Sequence, residues 1–234
     1  MKRTLFGAIA AALLVTSAGP TLSASPPATW DNLSRVDSRN LRAVYLLPGE
    51  NFCAYKKVKL DAPHVAFQQN WMRDFNRSTV GLSSRITQAD ADRVMEEART
   101  GFAGILAREF AAAGFQVVDA PGHDVLQVST AIINLTVSAP DRMTAGRSRS
   151  YAREAGSATL VVEARDSMTD AILGRAVDSR LAGDTASALR NRVTNRADFS
   201  RLFTTWARAA ANGLNELRAR AGGPCGAQQT AAKE

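Results

Sequence analysis

The sequence predicts an α+β fold, a mainly antiparallel sheet with two long amphipathic helices packed on one face. Two long segments carry apolar residues at three- and four-residue steps, 88–113 and about 196–220. Between and before them lie short segments of alternating or continuous apolar character bounded by turn residues. The order is strands, helix, strands, helix, without the regular strand–helix alternation of a parallel α/β sheet.

Residues 25–40, with Pro26, Pro27 and several Ser and Asn, read as an extended leader with Trp30 as its anchor point. Ala43 to Leu47 is a short strand ended by Pro48-Gly49, and Lys56 to Leu60 alternates as a second. Residues 65–77 fit either an irregular strand or a short helix through Val65, Phe67, Trp71 and Phe75. Thr87 and Asp90 form the pattern of a capping box at the head of the first long helix, and Gly114 stops it. Phe115 to Val118 is a strand, and Asp119-Ala120-Pro121-Gly122 turns the chain into a long strand from Val125 to Val137. Its apolar phase shifts between Ile132, Ile133 and Leu135, which predicts a bulge. Residues 158–165 and 172–181 form a hairpin about Asp166–Asp170. The last helix, 196–220, takes Thr194 or Asn195 as its cap and Phe199, Leu202, Phe203, Trp206, Ala210, Leu214 and Leu217 as its apolar face. Residues 41–221 are thus read as a single domain and 222–234 as a disordered tail.

Residues 1–24 have the pattern of a secretory signal peptide: Lys2 and Arg3, then an apolar run from Leu5 to Val15, then Gly19-Pro20 and the small residues Ser23-Ala24-Ser25. The run is about 11 residues, short of the ~20 that span a bilayer as a helix. Cleavage is expected after Ala24 or Ser25. No cysteine directly follows either site, so an outer-membrane lipid anchor is not expected, and the expected location is periplasmic or secreted. Net charge is +7, and removing Lys2 and Arg3 leaves +5, a balance compatible with anionic lipid headgroups or nucleic acid; a soluble, arginine-rich protein is the plainer reading. Export argues against a nucleic-acid partner. The only cysteines are Cys53 and Cys225, which either pair as a disulfide or stay as two thiols.

No catalytic pattern emerges. His64 after Pro63 and His123 in a turn read as solvated loop residues; with Cys53 and Cys225 they lack metal-ligand spacing, so no metal and no cofactor is expected. There is no G-x-S-x-G elbow, and Gly101 and Gly104 lie inside a helix, where they read as close-packing positions against the sheet rather than as a phosphate loop. The segment 139–153 carries Arg142, Arg147, Arg149 and Arg153 against one acid, Asp141. Guanidinium groups grip carboxylates and phosphates bidentately, so these four arginines are the candidate partner-binding residues; a solvated loop is the plainer reading.

The run Asp141-Arg142-Met143-Thr144-Ala145-Gly146-Arg147-Ser148 resembles bacterial envelope proteins grouped as domain of unknown function 3313, many described as lipoproteins. Ala66–Trp71 with Arg73-Asp74, Glu163–Ser167 through Leu173–Arg175, and Thr194–Phe199 resemble the same family, over about residues 30–218. The resemblance implies an envelope location and no known activity, cofactor or catalytic residue. The reading that follows is an exported, non-catalytic periplasmic protein that binds an envelope protein or an anionic lipid headgroup. The alternatives are a hydrolase or other enzyme built on Arg73, Asp74, His123 and Asp124, and a binder of a small apolar ligand between helices and sheet.

Overall fold

The computed structural model describes residues 26–79, 85–138, 150–152, 154–183, 188–190 and 192–220. The regions read as signal peptide and tail, and the four candidate arginines, lie outside them. Eleven strands and three helices are described: β1 (Thr29–Trp30), β2 (Leu33–Val36), β3 (Ala43–Leu46), β4 (Lys57–Leu60), β5 (His64–Phe67), α1 (Trp71–Ser78), α2 (Gln88–Ala112), β6 (Gln116–Val117), β7 (Val125–Val137), β8 (Ser150–Ala152), β9 (Gly156–Asp166), β10 (Ile172–Ala182), β11 (Ala188–Arg190) and α3 (Arg192–Arg220).

The main sheet has nine strands and is mixed. From β1 through β2, β3, β10 and β9 to β7 every pairing is antiparallel. Beyond β7 the pairing turns parallel: β4 lies along residues 125–128 of β7, β5 along 131–135, and β6 along β4. The antiparallel description therefore holds for one side of the sheet only. β8 and β11 form a separate two-stranded ribbon.

Residues 25–40 are more than an extended leader, because they contain the β1–β2 hairpin, which extends the sheet beyond β3. Asp31 and Asn32 both have positive φ, 48° and 64°, the requirement of the tight hairpin turn that matches strand twist. Trp30 is indeed anchored: its ring meets Tyr45 edge-on at 5.7 Å and Arg175 lies 4.8 Å above it. The ambiguous 65–77 segment divides into strand β5 and helix α1, joined by Phe67 stacked on Trp71 at 4.1 Å.

The capping box of α2 is present, with the Thr87 hydroxyl accepting from the Asp90 N–H and the Asp90 carboxylate accepting from Thr87. Gly114 follows at φ 89°. The bulge in β7 also forms. Asn134 takes φ 52°, and the register against β9 shifts between Ile133 and Thr136. The buried positions then change from 126, 128, 130 and 132 to 135 and 137, so one face of the strand stays apolar across the irregularity. Gly156 fits against this bulge: a Cβ there would lie 1.9 Å from the Thr136 carbonyl oxygen.

α2 and α3 cover one face of the sheet in a single core that includes Phe102, Leu106, Phe110, Phe203, Trp206 and Ile132. Each such buried side chain contributes about 1.5–3 kcal/mol by leaving water. Trp206 is fully buried, and its indole N–H donates to Asp178 Oδ2 at 2.8 Å, which joins α3 to β10. α3 starts at Arg192, ahead of the expected cap; Thr194 and Asn195 lie in its first turn, and Asn195 is buried. The two long helices run parallel. Contacts pair Phe102 with Phe203, Glu109 with Arg208 at 3.1 Å, and the Ala113 carbonyl with the Asn215 amide at 2.8 Å.

Candidate functional site

Two of these contacts, Glu109–Arg208 and Ala113–Asn215, clamp the C-terminal half of α2 against α3. Toward their N-terminal ends the helices leave a crevice of about 310 Å³ over the end of β7. Its apolar walls and floor include Val94, Ile105, Leu135, Val137, Phe199 and Phe203. Ala98 and Gly101 form the middle of its α2 wall, and Arg93, Glu97, Arg108 and Arg196 also line it. This size and lining, apolar with a few charged groups, match small-molecule sites.

Gly101 corrects the sequence reading. It does not pack α2 onto the sheet: it is exposed, and a Cβ added there would meet nothing within 4 Å. Gly104 likewise would meet only the Arg108 guanidinium, at 3.6 Å. Arg108 and Arg196 are exposed, and among the described residues neither has an ion-pair partner. Arg93 pairs with Asp90 at 3.1 Å. The Asp90 carboxyl is held below the usual carboxylate range by the Thr87 hydroxyl and N–H, with burial opposing and Arg93 adding to the effect.

Two other hollows are present. One of about 120 Å³ lies between α3 and the β3–β10 side of the sheet, lined by Val44, Leu46, Ala176, Ala210 and Leu217 and bordered by Asp37 and Glu216. The other, about 400 Å³, is an open polar trough on the opposite sheet face at Gln68, Asn134, Ser157, Thr159 and Ser179. Its hydroxyls already bond in pairs, Ser157 with Thr136 at 2.8 Å and Thr159 with Ser179 at 2.9 Å. Those hydroxyls already have partners, whereas Arg108 and Arg196 of the crevice have no ion-pair partner among the described residues.

The polar residues named as a catalytic alternative do not converge. Arg73 and Asp74 pair with each other at 3.1 Å on α1, just past the β5 residue that faces Leu135. His123 and Asp124 lie in the turn before Val125, where Asp124 pairs with Lys57 at 3.1 Å. Ten residues of β7 separate the two pairs, on the order of 30 Å at strand rise. His64 is an exposed residue of β5 rather than of a loop, paired with Ala131. Among the described residues no cluster of His, Cys, Asp and Glu could hold a metal ion.

Tyr55 donates to Asp166 at 2.8 Å; burial first, and the Asp166 carboxylate second, push its phenol far above the ordinary range. Asp166 also accepts from the Met168 and Thr169 N–H groups, so the pair fastens the β9–β10 turn. Cys53 is disulfide-bonded, and its Sγ lies 3.4 Å from the Arg218 carbonyl oxygen near the end of α3. Cys225 lies outside the described residues. The Ser138 N–H donates to the Ala155 carbonyl at 2.9 Å, just past the end of β7 that floors the crevice. No helix among the described residues is long and apolar enough to cross a membrane.

The profile of the family described as Protein of unknown function (DUF3313) matches residues 29–210. The chain belongs to the DUF3313 family. No curated protein matches it. Among solved structures, this DUF3313 protein is similar to the dodecamer of a point variant of PelC from Paraburkholderia phytofirmans, at 13% identity and TM-score 0.40, covering 73% of this chain and 97% of that one. It is also similar to protein XCC0632 from Xanthomonas campestris, assigned to DUF330, at 14% identity and TM-score 0.38, covering 74% and 90%.

Proposed function

We propose that this DUF3313 protein is exported to the periplasm and binds a lipid of the cell envelope there, without catalysing a reaction on it. The observation that carries the reading is the crevice between α2 and α3, an apolar slot with arginines along its rim. The signal-peptide pattern and the basic net charge support it. So does the wide separation of Arg73–Asp74 from His123–Asp124, which leaves the proposed enzyme without an assembled set of groups. A disulfide from Cys53 to Cys225 belongs to the same proposal: Cys53 is disulfide-bonded, and an exported chain would meet an oxidising compartment.

The test is to purify the protein from the periplasmic fraction without detergent and extract it into organic solvent for mass spectrometry. An amphiphile released in stoichiometric amount is the expected result. An extract no different from buffer, with the apo mass alone in native spectra, would count against the lipid reading. Covalent capture of one envelope protein in place of lipid would replace it with the protein-partner reading.

A further inference from the structure

We infer that the crevice takes a single-chain carboxylate amphiphile lengthwise, its carboxylate at Arg108 and its tail running toward Val94 and Phe199. The inference rests on the proposed lipid-binding role and names the ligand class and its direction.

Shape comes first. The α2 wall of the crevice runs from Val94 through Ala98, Gly101 and Ile105 to Arg108, about 21 Å at 1.5 Å per residue. A volume of about 310 Å³ spread over that length is a slot for one extended chain, not for two. The two small residues, Ala98 and Gly101, lie in the middle of the wall, where a chain would pass. Glycine inside a helix costs roughly 0.5–1 kcal/mol relative to alanine. Gly101 makes no close approach that would require it, so the space beside the helix is what its missing side chain provides.

Charge sets the direction. At the Val94 end, Arg93 is matched by Asp90, and the lining carries the acid Glu97 as well as Arg196. At the other end, Arg208 is matched by Glu109 and Arg108 stands unmatched among the described residues. Arg108 reaches back along α2, its guanidinium 3.6 Å from where a Gly104 Cβ would be. That end carries one excess positive charge, which a singly charged carboxylate neutralises. A guanidinium fork presents two parallel N–H groups to such a head.

The experiment is calorimetric titration of the full chain with dodecanoate, dodecyl phosphate and, below its micelle concentration, dodecyl maltoside. Dodecanoate is expected to bind the wild type most tightly. Arg108→Gln should weaken dodecanoate about tenfold, the size of one lost charge-assisted contact, and leave dodecyl maltoside unchanged. Arg196→Gln should alter neither by more than about twofold, since Arg196 lies at the tail end of the crevice, away from the carboxylate. Gly101→Trp should abolish binding of all three, while Gly101→Ala, with unchanged circular dichroism, should keep it. Equal loss from Arg108→Gln and Arg196→Gln would overturn the direction. Maltoside or phosphate binding as tightly as dodecanoate would overturn the carboxylate assignment and leave the lipid-binding role standing. No binding of any probe by the wild type would sink both.

Discussion

The two faces of the central sheet come from the same strands yet use opposite chemistry. On the helix-covered face, Leu126, Val128, Ile132, Leu160 and Val162 are buried under α2 and α3. On the other face, among the described residues, the same strands present polar pairs. Asp61 accepts from Lys59, Gln127 and Ser129, and Glu163 is gripped by Arg165 and Arg175, both at 2.6 Å. Trp30, Leu33, Ala43 and Tyr45 make a small separate apolar cluster near β1–β3. One face holds the fold and the crevice; the other is finished with satisfied polar groups. Mutations on the two should therefore differ in size.

The largest effect is expected under the helices. Trp206→Ala removes a fully buried ring and leaves Asp178 without its indole donor, at a cost of about 3–5 kcal/mol in urea unfolding. Gly156→Ala attacks the pivot where the apolar phase of β7 changes. Its Cβ would meet backbone oxygen, so a loss of roughly 1–3 kcal/mol is expected by the same assay. A change of opposite sign is expected at Thr130, whose buried hydroxyl has no hydrogen-bond partner on the apolar face. Thr130→Val should raise stability by about 1 kcal/mol.

The smallest effect concerns the polar face and is set by pH. Burial opposes ionisation of Asp61, but bonds from Ser129, Lys59 and Gln127 outweigh it and hold its carboxyl below the usual range. Burial opposes ionisation of Glu163 too, and Arg175 and Arg165 outweigh it. A carboxyl depressed on folding contributes stability above its unfolded pKa, about 4, and loses it as pH falls through the folded value. The urea midpoint should therefore fall on acidification below about pH 4, and Asp61→Asn should flatten that fall. An unchanged slope would break the contrast between the faces.

How much of this was legible in the sequence follows from how local each signal is. The capping box at Thr87 and Asp90, the span of β7 and its bulge all rest on patterns within a few residues, and each could be read. The β1–β2 hairpin could not, because strands of two and four residues show no usable period and Asp31-Asn32 is a weak turn signal. The parallel pairing of β4 and β5 with β7 depends on contacts about 70 residues apart, which leave no local trace. At the head of α3, Thr194 and Asn195 are good capping residues, and local preference pointed to a later start than packing selects. The crevice exists only where two helices diverge. Its one sequence sign was Gly101, a helix-interior glycine that packing does not explain.

The most direct test of the site is amide chemical-shift mapping of the isotopically labelled protein with dodecanoate. Saturable shifts are expected at Ala98, Gly101, Ile105 and Phe199 along the crevice, and none at Val161 and Val177 on the uncovered face. Shifts confined to the uncovered face, or to the polar trough at Ser157 and Ser179, would contradict that expectation.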